Sequence, residues 1–174
     1  KIGWAPVHNW LPDAHSEAPP AVSALLSAAL LPTVVLVVWR VLTTLGPALA
    51  PGTASALVLA FGLVSLAVAV PFLWRPMAWK RLLAYSSLEH MGVLAIGIGF
   101  ATPLATAGVI VHVAGHALAK SLGFFAAGPM LRHAPRAHER AVRGLAFANP
   151  PTATAAGVSV AALAAMPPSP LFVS

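Results

Sequence analysis

The chain has 174 residues, of which 59% are hydrophobic and 8% charged, with a formal net charge of +6 and no cysteine. Soluble domains carry about 25% charged residues, so this composition excludes a globular surface facing water on all sides. The missing cysteines exclude disulfides, iron–sulfur ligation and thiolate zinc sites in these residues, and the basic residues sit in short connections, a distribution that argues against a nucleic-acid partner.

Four runs, Ala18–Trp39, Val41–Trp74, Met91–Val111 and Gly144–Ser174, contain no Asp, Glu, Lys, Arg or His. A bilayer span needs roughly 20 apolar residues, which each run supplies. The expected fold class is all-α: a polytopic transmembrane helix bundle with discontinuous helices, forming one membrane domain over residues 1–174 in a lipid bilayer. The sequence opens on Lys1 and stops inside the apolar PPSPLFVS, so it is expected to be a fragment of a longer protein.

In chain order, KIGWAPVHNWLPDAHSEAPP carries Pro6, Pro12, Pro19 and Pro20. Each proline removes a backbone donor and crowds the preceding turn, so residues 1–20 are expected to be the end of a broken helix plus a loop. Trp4 and Trp10 suit the membrane–water interface. Five spans follow, at about 21–45, 54–74, 82–102, 104–130 and 145–166, with Gly46-Pro47, Pro51-Gly52 and Thr102-Pro103 marking tight connections. Pro167, Pro168 and Pro170 then break the apolar sequence a second time. Paired Pro-interrupted segments are a pointer to transport sites in inverted-repeat transporters, although interfacial prolines also serve structure alone.

Basic residues set the orientation. Arg75, Lys80 and Arg81 flank one connection, and Arg132, Arg136, Arg140 and Arg143 another, while the connections at 46–53 and near 103 carry none. The basic loops are therefore expected on the cytoplasmic side of the cell membrane. Arg40 lies near the opposite face and runs against the rule; its long side chain is able to snorkel to the interface.

The chemistry concentrates in HVAGHALAKS, residues 112–121. His112, His116 and Lys120 recur every four residues, which places them on one helix face. Lys120 lies about 6 Å beyond His116 along the axis, near the bilayer centre, where a lysine costs about 2.5–3.5 kcal/mol on insertion scales. Desolvation disfavours the ammonium form, so such a lysine is able to lose a proton as well as hold one, and histidine titrates near neutrality by itself. A proton relay is one reading; hydrogen bonding to neighbouring helices and pairing with a carboxylate is the other. The ladder covers about 12 Å of a roughly 30 Å core, so it is part of a pathway at most. No metal or haem site is expected: HExxH is absent, no third ligand lies near in sequence, and no other span holds a central histidine.

A second polar cluster is KRLLAYSSLEHMG, residues 80–92. Ser86 and Glu89 have capping-box spacing, but a helix starting there is barely long enough to span. A start near Lys80 puts Glu89 and His90 more than two turns inside. Glu89 is then either a carboxylate partner for a lysine or a proton uptake group near the cytoplasmic face.

HNWLPDAHSEAP followed by SALL, then KRLLAYSSLEHMG, then HVAGHALAKSLGFFAAG, resemble the antiporter-like proton-pumping subunits of respiratory complex I, group 4 membrane hydrogenases and multisubunit sodium/proton antiporters, most of all the hydrogenase-4 component F branch. The resemblance covers essentially the whole chain. It implies an inverted-repeat fold of which these residues would run from the first broken helix into the second. It also implies that Lys1 matches the central carrier of a first half-channel and that His112, His116 and Lys120 belong to the second. Positions where some members carry a linking His or Lys are here Ser27 and Pro32; Pro32 is expected to kink its helix, and the link to run through water or hydroxyls.

The implied function is translocation of protons, or sodium ions, by a cofactor-free subunit of a redox-driven complex such as a group 4 hydrogenase or NADH dehydrogenase. Its partners would be other membrane subunits and a peripheral redox module. The alternatives are a non-conducting membrane scaffold and a sodium/proton antiporter subunit. An intramembrane enzyme is disfavoured, since no nucleophile–base or metal motif is present. The candidate relay residues are Lys1, Glu89, His112, His116 and Lys120.

Overall fold

The computed structural model describes residues 1–133 and 144–174, and every regular element in them is helical. A short α1 (Trp10–Glu17) leads into α2 (Pro20–Leu25), a π-helical turn (Leu26–Leu30) and α3 (Leu31–Leu45) on one continuous axis. Next come α4 (Thr53–Leu73), α5 (Trp79–Phe100) and α6 (Pro103–His133), then α7 (Leu145–Ala148), α8 (Pro150–Leu163) and α9 (Pro170–Val173). Arg136, Arg140 and Arg143 of the second basic connection lie outside the described residues.

Local chemistry sets the boundaries. The connection after α3 turns on Gly52, whose φ of 81° lies in the left-handed region open to glycine. Thr102 Oγ1 accepts the Ala105 N–H at 3.2 Å, tying up one of the free donors at the start of α6. Helix α5 begins at Trp79, and Ser86 Oγ donates to the Leu83 carbonyl at 3.1 Å, so Ser86 and Glu89 form no capping box. Over 145–166, expected as one span, the helix is interrupted at Asn149, which has extended backbone and caps α8 by accepting the Thr152 N–H at 3.3 Å. Pro150 and Pro151 follow at the first helical positions, where a missing N–H costs least.

Pro32 produces a π turn. It lacks the N–H that would bond the Ala28 carbonyl, and its ring crowds that oxygen. The preceding turn widens, with the Leu31 N–H bonding Leu26, and Thr33 Oγ1 donates to the Ala29 carbonyl at 2.8 Å.

Among the described residues four helical stretches are long and apolar enough to cross a membrane: Pro20–Ala48, Thr53–Leu73, Trp79–Phe100 and Pro103–Arg132. Together with their outward-facing Val37, Leu57, Leu63 and Leu118, they make this a multi-pass membrane protein. Helix α5 is central, packed between α4 and α6 and covered by α1. Helix α6 also carries α2, α8 and α9. The N-terminal segment enters the core: Trp4, expected at the interface, is buried and its indole N–H donates to the Met91 carbonyl at 2.8 Å. The Ala5 N–H donates to Ser65 Oγ at 2.9 Å, a bond out of reach of bulk water.

Small residues let the helices close up. A Cβ on Gly62 of α4 would lie 2.8 Å from the Gly92 carbonyl oxygen of α5, and one on Gly92 would lie 3.0 Å from the Gly62 oxygen. Without lipid-excluding hydrophobic force between spans, such close packing is what holds membrane helices together. Gly62→Val is expected to pry α4 from α5 and destabilise the protein by about 1–3 kcal/mol, the usual range for overpacking. Thermal unfolding in detergent, compared with Gly157→Val where a Cβ meets open space, measures the difference.

Candidate functional site

The His112–His116–Lys120 face of α6 turns inward against α5. Lys120 and His116 have no solvent exposure and His112 has 6%. Lys120 Nζ donates to the Leu83 carbonyl at 2.6 Å and to Ser86 Oγ. Two turns along, His90 of α5 meets the two histidines: its Nδ1 lies 3.0 Å from His112 Nε2, and its ring packs edge-on to His116 with centroids 5.0 Å apart. The register is that of antiparallel neighbours. Moving from Leu83 and Ser86 toward His90 on α5 matches moving from Lys120 back toward His112 on α6, at about 1.5 Å per residue on each.

His112 Nδ1 lies 2.9 Å from Ser174 Oγ, so His90, His112 and Ser174 make one hydrogen-bonded row. By contrast, neither ring nitrogen of His116 has a partner among the described residues, nor does His90 Nε2. Buried imidazole nitrogens without partners are costly, and a buried water is the usual remedy where the site is polar. The row is thus broken at His116 in the direct geometry and is completed by any water that bridges it.

His90 corrects the expectation that no other span offers a central histidine. Three imidazoles do converge, yet the His90–His112 hydrogen bond turns one nitrogen of each toward the other, and no metal-holding group exists among the described residues.

Glu89 does not pair with Lys120. It is half-buried on α5 and makes no ion pair among the described residues, although the two charges act on each other. The ion pair found there is Arg81 to Asp13 at 3.4 Å, largely solvent-exposed. Lys1 is exposed and joins no hydrogen bond with the ladder among the described residues. Of the five sequence candidates, the fold brings His112, His116 and Lys120 to one buried line, sets Glu89 beside it and leaves Lys1 out.

Two groups that sequence reasoning passed over complete the line. His15 of α1 is fully buried, its ring stacked on Phe124 with centroids 5.2 Å apart and both nitrogens unpartnered. Phe124 lies four residues beyond Lys120, on the same face of α6, so His15 stands at the basic-loop end of the ladder. Burial holds its imidazole down at about 4, and the charges of Lys120 and Lys80 push the same way. Next to it Lys80, nearly buried at the start of α5, donates to the Ser16 carbonyl at 2.7 Å and to that of Ala18. A histidine between Pro12 and the Pro19-Pro20 pair was visible in LPDAHSEAP, but only the fold shows that it faces α6.

The other link is hydroxylic. Ser27, inside the π turn, lies 2.9 Å Oγ to Oγ from Ser87, and Ser87 Oγ donates to the Leu83 carbonyl at 3.0 Å. The same carbonyl accepts from Lys120. Ser27 is therefore three hydrogen bonds from the buried ammonium, the last two meeting at one carbonyl oxygen.

The chain as a whole is similar to known proteins. The family described as NADH:quinone oxidoreductase/Mrp antiporter, TM, matches residues 1–174. The chain is 34% identical over 174 residues to a hydrogenase-4 component F homolog of Methylacidiphilum infernorum (isolate V4), which covers 100% of this chain and 37% of that relative. It is 32% identical over 186 aligned residues to hydrogenase-4 component B of Escherichia coli (strain K12), covering 100% of this chain and 28% of the relative. A third relative, NAD(P)H-quinone oxidoreductase chain 4 of Prochlorococcus marinus subsp. pastoris, is 36% identical over 128 residues, with 74% and 23% covered. The chain thus spans little more than a third of the longest-covered of these relatives and less of the others. Matched from first residue to last, the chain belongs to the NADH:quinone oxidoreductase/Mrp antiporter membrane family.

Proposed function

We propose that this chain is part of a proton-translocating subunit of a redox-driven complex in the cytoplasmic membrane, working beside other membrane subunits and a peripheral redox module. The observation that carries the reading is Lys120. It is a fully buried lysine held by a carbonyl and a hydroxyl, with no carboxylate within ion-pair distance among the described residues. Ionisable residues at that depth pair with other charges or with backbone carbonyls and mark ion pathways and proton relays; neutral acceptors hold this lysine without pinning its charge.

The residues act as a line of charge-exchanging groups. Protons enter from the basic-loop side past Lys80 and His15, reach Lys120, and continue by His116 and the His90–His112 pair toward Ser174. Each gain or loss of charge alters the proton affinity of its neighbours. Loss of the Lys120 proton relieves part of the repulsion at His15, readying it to take up the next. Glu89 lies off the hydrogen-bonded row, close enough for its charge to act on Lys120. Ser27 and Ser87 lie between the ladder and the preceding half-channel, to which Lys1 belongs on the strength of the resemblance. A lateral proton path along them needs water to bypass the Leu83 carbonyl, to which both Ser87 and Lys120 donate.

Coupling needs no cofactor in these residues. A conformational or electrostatic event in a neighbouring subunit that shifts α5 against α6 would change the contacts of Leu83, Ser86 and His90 together, because all three sit on α5 and face the ladder.

Lys120→Met removes the charge while keeping the volume, and Lys120→Arg keeps a charge that cannot be given up. In sealed vesicles carrying the intact complex, both are expected to lower proton uptake per redox turnover by about 10²-fold or more, the scale for losing a positioned acid–base group. Lys120→Met should also leave assembly intact, since it relieves a buried cation. Unchanged pumping in Lys120→Met would make the ladder a helix–helix contact and the subunit a scaffold.

For His15 the expected loss is smaller, because water is able to occupy the space it vacates. His15→Ala is expected to slow pumping severalfold, while His15→Phe, which fills the site, slows it further. Stopped-flow acidification of vesicles with the two variants distinguishes a carrier from a packing residue, which would show the opposite order.

A further inference from the structure

Arg40 is the one charged residue between Glu17 and Arg75, and nothing in the ladder uses it. It sits on α3 five residues before Leu45, about 8 Å inside the helix end. The guanidinium is exposed and makes no ion pair or hydrogen bond among the described residues. An unpaired arginine at that depth needs an anion or water, and it faces the side whose connections carry no basic residues.

The same face of α3 lines an apolar groove of about 300 Å³, walled by Pro32, Leu36 and Trp39 on α3 and by Val109, Ile110 and Val113 on α6. At 3.6 residues per turn, Arg40 falls within about 40° of Leu36 around the helix. The cation therefore stands at the outer end of the groove rather than on another face. A second cavity of about 430 Å³ shares Trp39 and Val109 as walls and continues toward the 46–52 connection. That second cavity is partly polar, with Thr43, Ser55 and Thr106 in its wall, and lies at the headgroup end. The apolar groove, ended by a single cation and an indole suited to the headgroup level, matches an acyl chain joined to a phosphate.

We propose that an anionic phospholipid of the outer leaflet binds here, its phosphate on Arg40 and an acyl chain in the groove between α3 and α6. Arginine is suited to this because its planar fork meets phosphate oxygens two at a time. Its stem runs along the apolar wall while its head snorkels to the interface. The lipid would brace the outer half of α3 against α6, on the side away from the π turn.

The test uses the protein purified from membranes in mild detergent and relipidated with phosphatidylglycerol or phosphatidylcholine. Retained lipid is counted by native mass spectrometry, and thermal stability is read in parallel. Wild type is expected to retain phosphatidylglycerol at least threefold over phosphatidylcholine and to gain stability from it. Arg40→Gln should abolish the preference, Arg40→Lys should keep part of it, and Ile110→Trp, which crowds the groove, should lower retention of both lipids. Equal retention by wild type and Arg40→Gln overturns the proposal. A photoreactive residue at position 110 in the otherwise wild-type chain gives an independent reading. A phospholipid adduct supports the site, whereas a polypeptide adduct, or none, shows that protein covers the groove or that it stands empty, and overturns it.

Discussion

The arrangement rests on one constraint: a lysine with no solvent exposure has to be satisfied at the centre of a helix bundle. An ammonium donates three hydrogen bonds and accepts none, and the bilayer offers no replacement for water. Lys120 finds the Leu83 carbonyl and the Ser86 hydroxyl, both on α5, so the price of burial is a fixed register between two helices. Once that register is set, His90 has to meet His112 and His116, because antiparallel helices advance in step. The histidine contacts follow from the lysine contact.

Such closeness requires small residues, and they occur where the neighbours arrive. A Cβ at Gly123 would lie 2.5 Å from Ser159 Oγ of α8, and one at Gly115 would meet Pro170 of α9 at 3.1 Å. Ser159 of α8 fills the remaining gap by donating to the Ala119 carbonyl at 2.8 Å. Helix α6 thus carries its functional side chains and its glycines interleaved: one set reaches α5, and the other admits α8 and α9. The face that carries Leu104, Leu118 and Phe125 is left exposed and is apolar as well, so the sequence of α6 shows no single apolar stripe.

The class of fold and the ladder itself were legible in the residues, for a simple reason. Span length and the four-residue period are properties of one segment, and His112, His116 and Lys120 declare a shared face without reference to anything else. What faces that ladder is a property of two segments. Glu89 drew attention because its charge is conspicuous inside an apolar run, yet its neighbour His90, about 100° further round the helix, is the residue that points at α6. His15 was hidden for the same reason, since no periodicity connects α1 to Phe124. Asn149 was missed because its role is local: 145–166 read as one apolar span, while in the structure the two prolines after Asn149 start a helix that the asparagine caps.

The π turn ties the two scales together. Had residue 32 been an ordinary helix former, the carbonyl of Ala28 would be spent on it and the helix would run on without widening. With proline there, the turn Leu26–Leu30 opens by one residue, and π bulges of this kind concentrate at functional sites. Ser27 sits inside the widened turn and reaches Ser87, whose own hydroxyl bonds the carbonyl that holds Lys120. The position where relatives in the resemblance place a charged link is occupied here by a backbone irregularity and a pair of hydroxyls. A hydroxyl both donates and accepts, so it passes a proton without storing one. The Leu83 carbonyl only accepts, so Ser87 and Lys120 both end on it, and the hydroxyl pair meets the ammonium at a shared acceptor that carries no proton onward without a bridging water.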